Sequence, residues 1–239
     1  MSEPLWDEAS FIAKLREVGG NAYHDKHPFH LVMNEGRLSP EAIRGWVLNR
    51  FYYQANIPIK DAAILSNCPQ RDVRRQWIDR IIEHDGTHGN EGGIEAWLRL
   101  GEACGVSRAE MLDSANIFPA VRFAVDAYVT FCRTQPWPIA ISSSLTELFA
   151  PNLMAKRLEA FKTHYSWVQP WGFDYFNRRL TKAKVDSDCA LKLTLEYCNT
   201  PELQRAAISA LNFKCDLLWA ILDGIAGKFP HGTNTERPQ

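Results

Sequence analysis

Residues 200–226 read TPELQRAAISALNFKCDLLWAILDGIA. Thr200 can cap a helix with its side-chain oxygen, Pro201 suits the first helical position, and Glu202 faces the unpaired N–H groups of the first turn. Beyond them Ala207, Leu211, Leu218, Leu222 and Ile225 recur at three-, four- and seven-residue spacing, the apolar stripe of a helix laid on a core. The same punctuation appears upstream. Ser39-Pro40-Glu41 opens a helix carrying Ile43, Trp46, Val47, Phe51 and Ile57, which Pro58 is expected to interrupt. Another helix starts near Arg71 and ends in HDGTHGNEGG (84–93), and one follows from Gly93 to Ala103. Ser107 with Glu110 forms a capping box, and a longer helix runs from about Pro119 to Arg133. Pro136, Pro138 and Pro151 punctuate a Ser-rich segment in which Ser142-Ser143-Ser144 reads as a capped helix start. Further helices are expected near 152–165 and 171–198. Alternating apolar and polar runs rich in Val, Ile and Thr are missing, so a sheet has no material. The prediction is an all-α fold, a compact bundle of roughly seven or eight helices with short connections.

The chain has 239 residues, 46% hydrophobic and 23% charged, values of a folded globular protein. No repeat or linker interrupts residues 1–228, so they are expected to form one domain. The polar, Gly- and Pro-containing stretch 229–239 is expected to be a flexible tail. Lys and Arg number 27 against 28 Asp and Glu, which removes the electrostatic basis for general nucleic-acid binding. The acidic opening MSEPLWDEAS does not read as a secretory signal, and none is expected. No apolar run is long enough to cross a bilayer, Asp223 breaking the longest, Leu217 to Ala226. A cytoplasmic location is expected, with the six separated cysteines as buried, reduced thiols.

Polar groups at apolar positions carry the chemistry. Lys214 lies inside the stripe of the last helix, where an ammonium must snorkel, pair with a carboxylate or meet an acidic ligand. Val73, Trp77, Arg80 and His84 follow helical spacing, so Arg80 and His84 share a face. Arg50 and Gln54 are four apart beside Tyr53 and shortly before Lys60. Tyr175 and Arg179 repeat that spacing, and Tyr128 extends the stripe of Val121 and Val125. Arg50, Lys60, Arg80, Arg157, Arg179 and Lys214 occupy different helical segments of a nearly neutral chain. Converging, they would bind a small polycarboxylate.

Metal binding competes for some of these groups. His84 and His88 are four apart, Glu83 and Asp85 adjoin them, and Glu147 could face them, parts from which helical bundles build di-iron sites. Asp85-Gly86, however, works against a helix that continues to His88. In the cluster Tyr23-His24-Asp25-Lys26-His27-Pro28-Phe29-His30, one or two histidines are expected to cap or bond locally. Phosphate-binding Gly-rich loops, zinc-protease patterns and a serine-hydrolase elbow are absent. A thiaminase-like hydrolase would need a core nucleophile, for which Cys132 or Cys198 would have to serve.

The strings NRFYYQANIPIKDAA (49–63), HDGTHGNEGGIEAWLRLGEA (84–103), VRFAVDAY (121–128), SSLTELFAP (143–151) and FKCDLLW (213–219) closely resemble the PqqC family of pyrroloquinoline-quinone synthases. The resemblance implies a seven-helix, TenA- and haem-oxygenase-like bundle, a homodimer, and the last step of PQQ biosynthesis. In that step a quinone-type hexahydroquinoline with several carboxylates undergoes ring closure and eight-electron oxidation. Dioxygen is co-substrate, hydrogen peroxide is released, and no metal or organic redox cofactor is used. A di-iron oxygenase on the same bundle and a non-catalytic carrier of the intermediate are the alternatives.

The resemblance carries catalytic or substrate-binding roles onto twelve positions. The catalytic set is His84, Tyr175, Arg179, His24, Tyr128 and Glu147; Arg50, Gln54, Lys60, Arg80, Arg157 and Lys214 would bind substrate. One position departs. The family commonly has His in the segment matching residues 152–157, where this chain has Met154, and a thioether neither donates a hydrogen bond nor shuttles a proton.

Overall fold

The computed structural model describes residues 4–229, except the side chains at 181 and 183–185. Its α-helices are α1 (Glu8–Ala22), α2 (Pro28–Asn34), α3 (Pro40–Asn67), α4 (Arg71–Asp85), α5 (Gly92–Ala103), α6 (Arg108–Leu112), α7 (Pro119–Thr134), α8 (Trp137–Ser142), α9 (Ala150–His164), α10 (Asp174–Tyr197) and α11 (Pro201–Ala226). Short 3-10 turns, His24–Lys26 and Ser143–Leu148 among them, join these helices. The described residues contain no strand, only one isolated bridge between Thr87 and Asn90. None of their helices is long and apolar enough to cross a membrane. The expected all-helical bundle is present, its long helices supplemented by the short α2, α6 and α8.

Helix α3 is the axis, packing against α4, α5, α7, α8 and α11. Its Trp46 meets Trp97 of α5 edge-on, ring centroids 5.4 Å apart, and both indoles are fully buried. Such aromatic burial dominates core energetics. Thr200 caps α11, Ser39 caps α3, and Ser107 forms the capping box with Glu110. Five of the six cysteines are buried, Cys189 is partly so, and all six are free thiols.

Two sequence expectations need correction. Helix α3 does not stop at Pro58 but continues to Asn67. Proline removes one intrahelical donor, yet Ile57, Pro58, Lys60, Asp61, Ala63 and Ile64 are all buried, and packing of that face outweighs the lost bond. Nor does Ser142-Ser143-Ser144 cap a helix start. Ser142 and Ser143 donate back to the carbonyls of Pro138 and Ala140, and the serines close α8 and begin a 3-10 turn.

Past α4 the chain must reverse sharply. Gly86 has φ +84°, and a Cβ there would meet the Asn90 carbonyl oxygen at 2.3 Å. Only glycine fits this turn, which lays the start of α5 beside His84. Phe229, first residue of the expected tail, packs on Phe118 with centroids 6.3 Å apart. The rest of that stretch lies outside the described residues.

Candidate active site

Because α3 runs unbroken, Arg50, Tyr53, Gln54, Ile57, Lys60 and Asp61 form one inward stripe. Facing it are α4, α7, α9, α10, α11 and the turns holding His24 and Glu147. They enclose a cavity of about 50 Å³ lined by His24, Arg50, His84, Glu147, Arg157, Tyr175 and Arg179, together with Met154 and Tyr53. A second cavity, of about 290 Å³, opens outward between α4 and α10. His84, Tyr175 and Arg179 line both, so these three side chains separate the inner space from the outer.

The remaining five expected residues do not line the inner cavity but stand behind its wall. Gln54 accepts a 2.9 Å hydrogen bond from the Tyr175 hydroxyl. Arg80 grips Glu147 bidentately at 2.6 and 2.9 Å. Lys60 donates to Ser144 Oγ at 2.9 Å and pairs with Asp61 at 2.6 Å. Tyr128 bonds with Ser143 at 3.2 Å and lies parallel to Tyr53. Lys214, 1% exposed, donates to the Tyr53 hydroxyl at 2.7 Å and sits 3.5 Å above the Tyr128 ring.

On the α4–α10 side, cations meet carboxylates. Arg179 contacts Asp186 at 3.1 Å, Glu83 at 3.3 Å and Glu147 at 3.7 Å, while Arg80 also reaches Asp61 and Asp186. Burial alone would disfavour the charge on Arg80 and Arg179, but these carboxylates overrule it and hold both pKa values above the ordinary arginine value. Glu147 is mostly enclosed, which opposes its charge, yet Arg80 keeps it ionised, well below the usual carboxylate range. Burial, and then Glu147, push Asp186 the opposite way.

The α3–α9–α11 side differs. No ion pair joins Arg50, Arg157 or Lys214 to a carboxylate among the described residues. Arg50 lies 3.9 Å above the Tyr53 ring, and Arg157 lies 4.8 Å above that of Trp46. Burial pushes Arg157 down to about 10, with Arg50 adding to the shift. Lys214 falls well below its usual value through burial, then Lys60 and Arg50. Arg50 Nη1, Arg157 Nε, Gln54 Nε2 and both ring nitrogens of His24 are buried without a hydrogen-bond partner. Buried donors of this kind are costly unless an acceptor reaches them.

His84 donates from Nδ1 to the Arg80 carbonyl at 2.8 Å, a tautomer assigned because a carbonyl can only accept. Nε2 therefore carries the basic lone pair. Burial first, and Arg179 second, bring the His84 pKa down to about 4, so the ring is neutral near pH 7.

The competing chemistries find less support in these positions. Helix α4 ends at Asp85, so His88 does not continue its face. Among the described residues no group of three or more His, Cys, Asp or Glu is placed to hold a metal ion. Glu147, Asp186 and Asp61 are instead engaged by Arg80, Arg179 and Lys60. Burial raises the thiol pKa of Cys132 and Cys198, the reverse of nucleophile activation.

Sequence reasoning missed Asp61, Glu83 as an arginine partner, Asp186, Tyr23, Ser144 and His30. Asp61 had a signal, since it follows Lys60 on a stripe that closes once Pro58 is read through. His30 did bond locally as expected for its cluster, donating to the His24 carbonyl at 2.9 Å, and His27 caps α2. Nothing in the sequence indicated that the other His30 nitrogen meets Arg157.

Residues 12–224 match the model of the TENA/THI-4/PQQC family. The chain is 53% identical over 226 residues, 95% of its length and 90% of the relative's, to a Pseudomonas aeruginosa protein named pyrroloquinoline-quinone synthase. A protein of the same name from Acinetobacter baylyi is 51% identical over 95% of this chain and 88% of its own. Among solved structures, a TenA homologue from Pseudomonas syringae superposes with a TM-score of 0.75 at 13% identity, over 95% of this chain and 98% of that one. A Shewanella denitrificans domain described as having a heme oxygenase-like fold gives 0.73 at 13% identity, over 93% of this chain and 91% of that one. The structural likenesses establish the TenA- and haem-oxygenase-like fold, and the sequence relationship, running nearly the whole length, is decisive: the chain belongs to the TENA/THI-4/PQQC family.

Proposed function

We propose that the chain is a pyrroloquinoline-quinone synthase, the enzyme of the final step of PQQ biosynthesis, acting on the polycarboxylate hexahydroquinoline precursor. The observation that carries this reading is a set of three enclosed cations, the buried Arg157 and Lys214 and the partly buried Arg50, with no carboxylate partner among the described residues. A soluble protein keeps such charges buried at a cost, and a ligand with several carboxylates offsets it. The orphaned donors of Arg50, Arg157, Gln54 and His24 supply hydrogen bonds to the same groups.

Held by this wall, the amine arm of the precursor lies against its carbonyl, and ring closure becomes effectively unimolecular. Neutral His84 removes protons from ring carbons through Nε2. Its pKa of about 4 makes it a weak base before substrate binds, and the negative charge of a bound polyanion raises it. The quinol-type substrate then supplies the electrons to dioxygen, so the redox chemistry is the substrate's own. Arg179 and Tyr175, one turn apart on α10, stabilise the charge that develops on reduced oxygen. Glu147 and Tyr128 orient substrate groups, and Gln54 holds the Tyr175 hydroxyl. A homodimer in the cytoplasm, using no metal or organic redox cofactor, completes the reading; six free thiols agree with a reducing compartment.

The test uses metal-analysed, chelator-treated protein mixed with the hexahydroquinoline precursor in air, following quinone absorbance and dioxygen uptake together. Quinone formation with uptake and without iron is expected. Turnover only after iron is restored would favour the di-iron alternative, and precursor binding without uptake would favour the carrier. His84→Ala is expected to stall before the final quinone, whereas changes at Arg50 or Lys60 first raise KM.

A further inference from the structure

Arg157 is long, flexible and buried with no countercharge among the described residues, yet it must present its guanidinium in one orientation to act on a substrate carboxylate. Arginine carries roughly 2 kcal/mol of rotamer entropy, so something has to hold it. Trp46 covers one face of the guanidinium. The edge is held by His30, whose Nε2 lies 2.9 Å from Arg157 Nη2. Arginine can only donate, so Nε2 is the acceptor and carries no proton. The opposite nitrogen, Nδ1, donates to the His24 carbonyl at 2.9 Å. Both ring nitrogens are thus assigned, and the imidazole is neutral.

The ring itself cannot drift. It is 2% exposed and meets the His24 ring edge-on, centroids 5.0 Å apart. Its helix α2 is fastened at one end by His27, which accepts from Phe29 N and contacts Asp223 of α11 at 3.0 Å. At the other end the hydroxyl of Tyr165, the residue that ends α9 as its C-cap, donates to the Met33 carbonyl at 2.9 Å. A neutral acceptor does here what a carboxylate could not. It fixes the guanidinium without cancelling its charge, and leaves Arg157 Nε unpartnered beside the cavity.

We infer that His30 is a positioning residue for substrate binding: a neutral imidazole that orients Arg157 toward a carboxylate of the ligand while leaving its positive charge uncompensated. This rests on the reading of the cavity as a polycarboxylate site, and the experiment separates the two.

PQQ itself, a tricarboxylate, is the probe, titrated into the full-length protein by absorbance, with KM and kcat for the precursor measured beside it. Four single variants, His30→Gln, His30→Glu, His30→Leu and Arg157→Leu, are compared with the double variant carrying both leucines, and thermal melts report folding throughout. Glutamine reaches the same place with a neutral acceptor and is expected to bind PQQ within about threefold of the parent. Glutamate has the same reach but cancels the charge, so it should bind about tenfold more weakly or worse while melting no lower. Leucine should also lose about tenfold, appearing in KM more than in kcat. In the Arg157→Leu background, His30→Leu should cost nothing further, because the two act as one unit. Parent-like affinity in His30→Glu, or additive losses in the double variant, would overturn the role of His30. Parent-like affinity in Arg157→Leu would instead overturn the polycarboxylate reading of the cavity. Should His30→Leu fail to fold, the isosteric Gln and Glu pair alone decides, because a merely structural role predicts no penalty specific to the negative charge.

Discussion

The two walls of one cavity treat the same residue types in opposite ways. On the α4–α10 side, Arg80 and Arg179 are surrounded by Glu147, Asp186, Glu83 and Asp61, and each is held charged by its neighbours. Across the cavity, Arg50, Arg157 and Lys214 rest on aromatic rings and neutral acceptors, and burial lowers the pKa of the last two. The first arrangement pairs its charges within the protein. The second leaves its cations without a carboxylate among the described residues, which supports reading it as a place for an anionic ligand. Removing a cation therefore has opposite consequences on the two sides.

The largest effect should follow from breaking the ion-paired wall. Arg80→Leu removes the bidentate partner of Glu147 and leaves Arg179 alone to balance Glu147, Asp186 and Glu83, and urea unfolding should show a loss of about 3–5 kcal/mol. A change below about 1 kcal/mol would mean that the network relaxes into solvent, and the contrast between the walls would fall.

Next in size is the pH response of His84, whose neutral form is the one buried. Its pKa is lower in the folded than in the unfolded state, so the folded protein binds fewer protons between the two values. The resulting stability is fully present above about pH 6.5 and is lost as pH falls toward about 4. Parent protein should lose about 3 kcal/mol more than His84→Asn across that window. Parallel unfolding curves against pH would show that the ring is solvated rather than enclosed.

A smaller effect of reversed sign is expected on the opposite wall. Lys214→Met should leave the ligand-free protein as stable as the parent or about 1 kcal/mol more stable, while PQQ affinity falls about tenfold or more. A marked loss of stability would place Lys214 with the structural ion pairs. The mildest test concerns Met154, which lines the cavity, whereas Met33 and Met111 are at most 1% exposed and away from it. Dilute peroxide should oxidise Met154 first of these three by peptide mass, and bound PQQ should slow it. Equal oxidation of all three would mean that the cavity gives peroxide no preferred access.

Much of the bundle was legible because helix ends and apolar periods are local. Thr200, Ser39 and the Ser107–Glu110 box sit where their side chains can cap their own backbones, and that requires nothing from the rest of the molecule. Pro58 was misread because its local penalty is real, and only the burial of its flanks outweighs it. The serines 142–144 were misread for a related reason: a hydroxyl can cap forward or bond back to a carbonyl, and the packing around α8 selects the second. In the site, Lys214 announced itself as a charge within an apolar stripe. Asp186 did not, because a carboxylate on a long polar helix is unremarkable until two arginines close around it.

The helical class, the positions of most caps and the list of cations set among apolar residues follow from local sequence alone, since each depends on neighbours within a turn or two. The sequence also carried the family, whose long strings survive in order along the chain. Only the tertiary structure decided which cations acquire carboxylates and which do not, which nitrogen of His84 and of His30 holds the proton, and that Arg157 is held by a neutral ring. Those outcomes depend on groups up to 161 residues apart in the chain meeting within 3 Å. At that range burial and countercharge, not residue type, set whether a charge stabilises the fold or awaits a ligand.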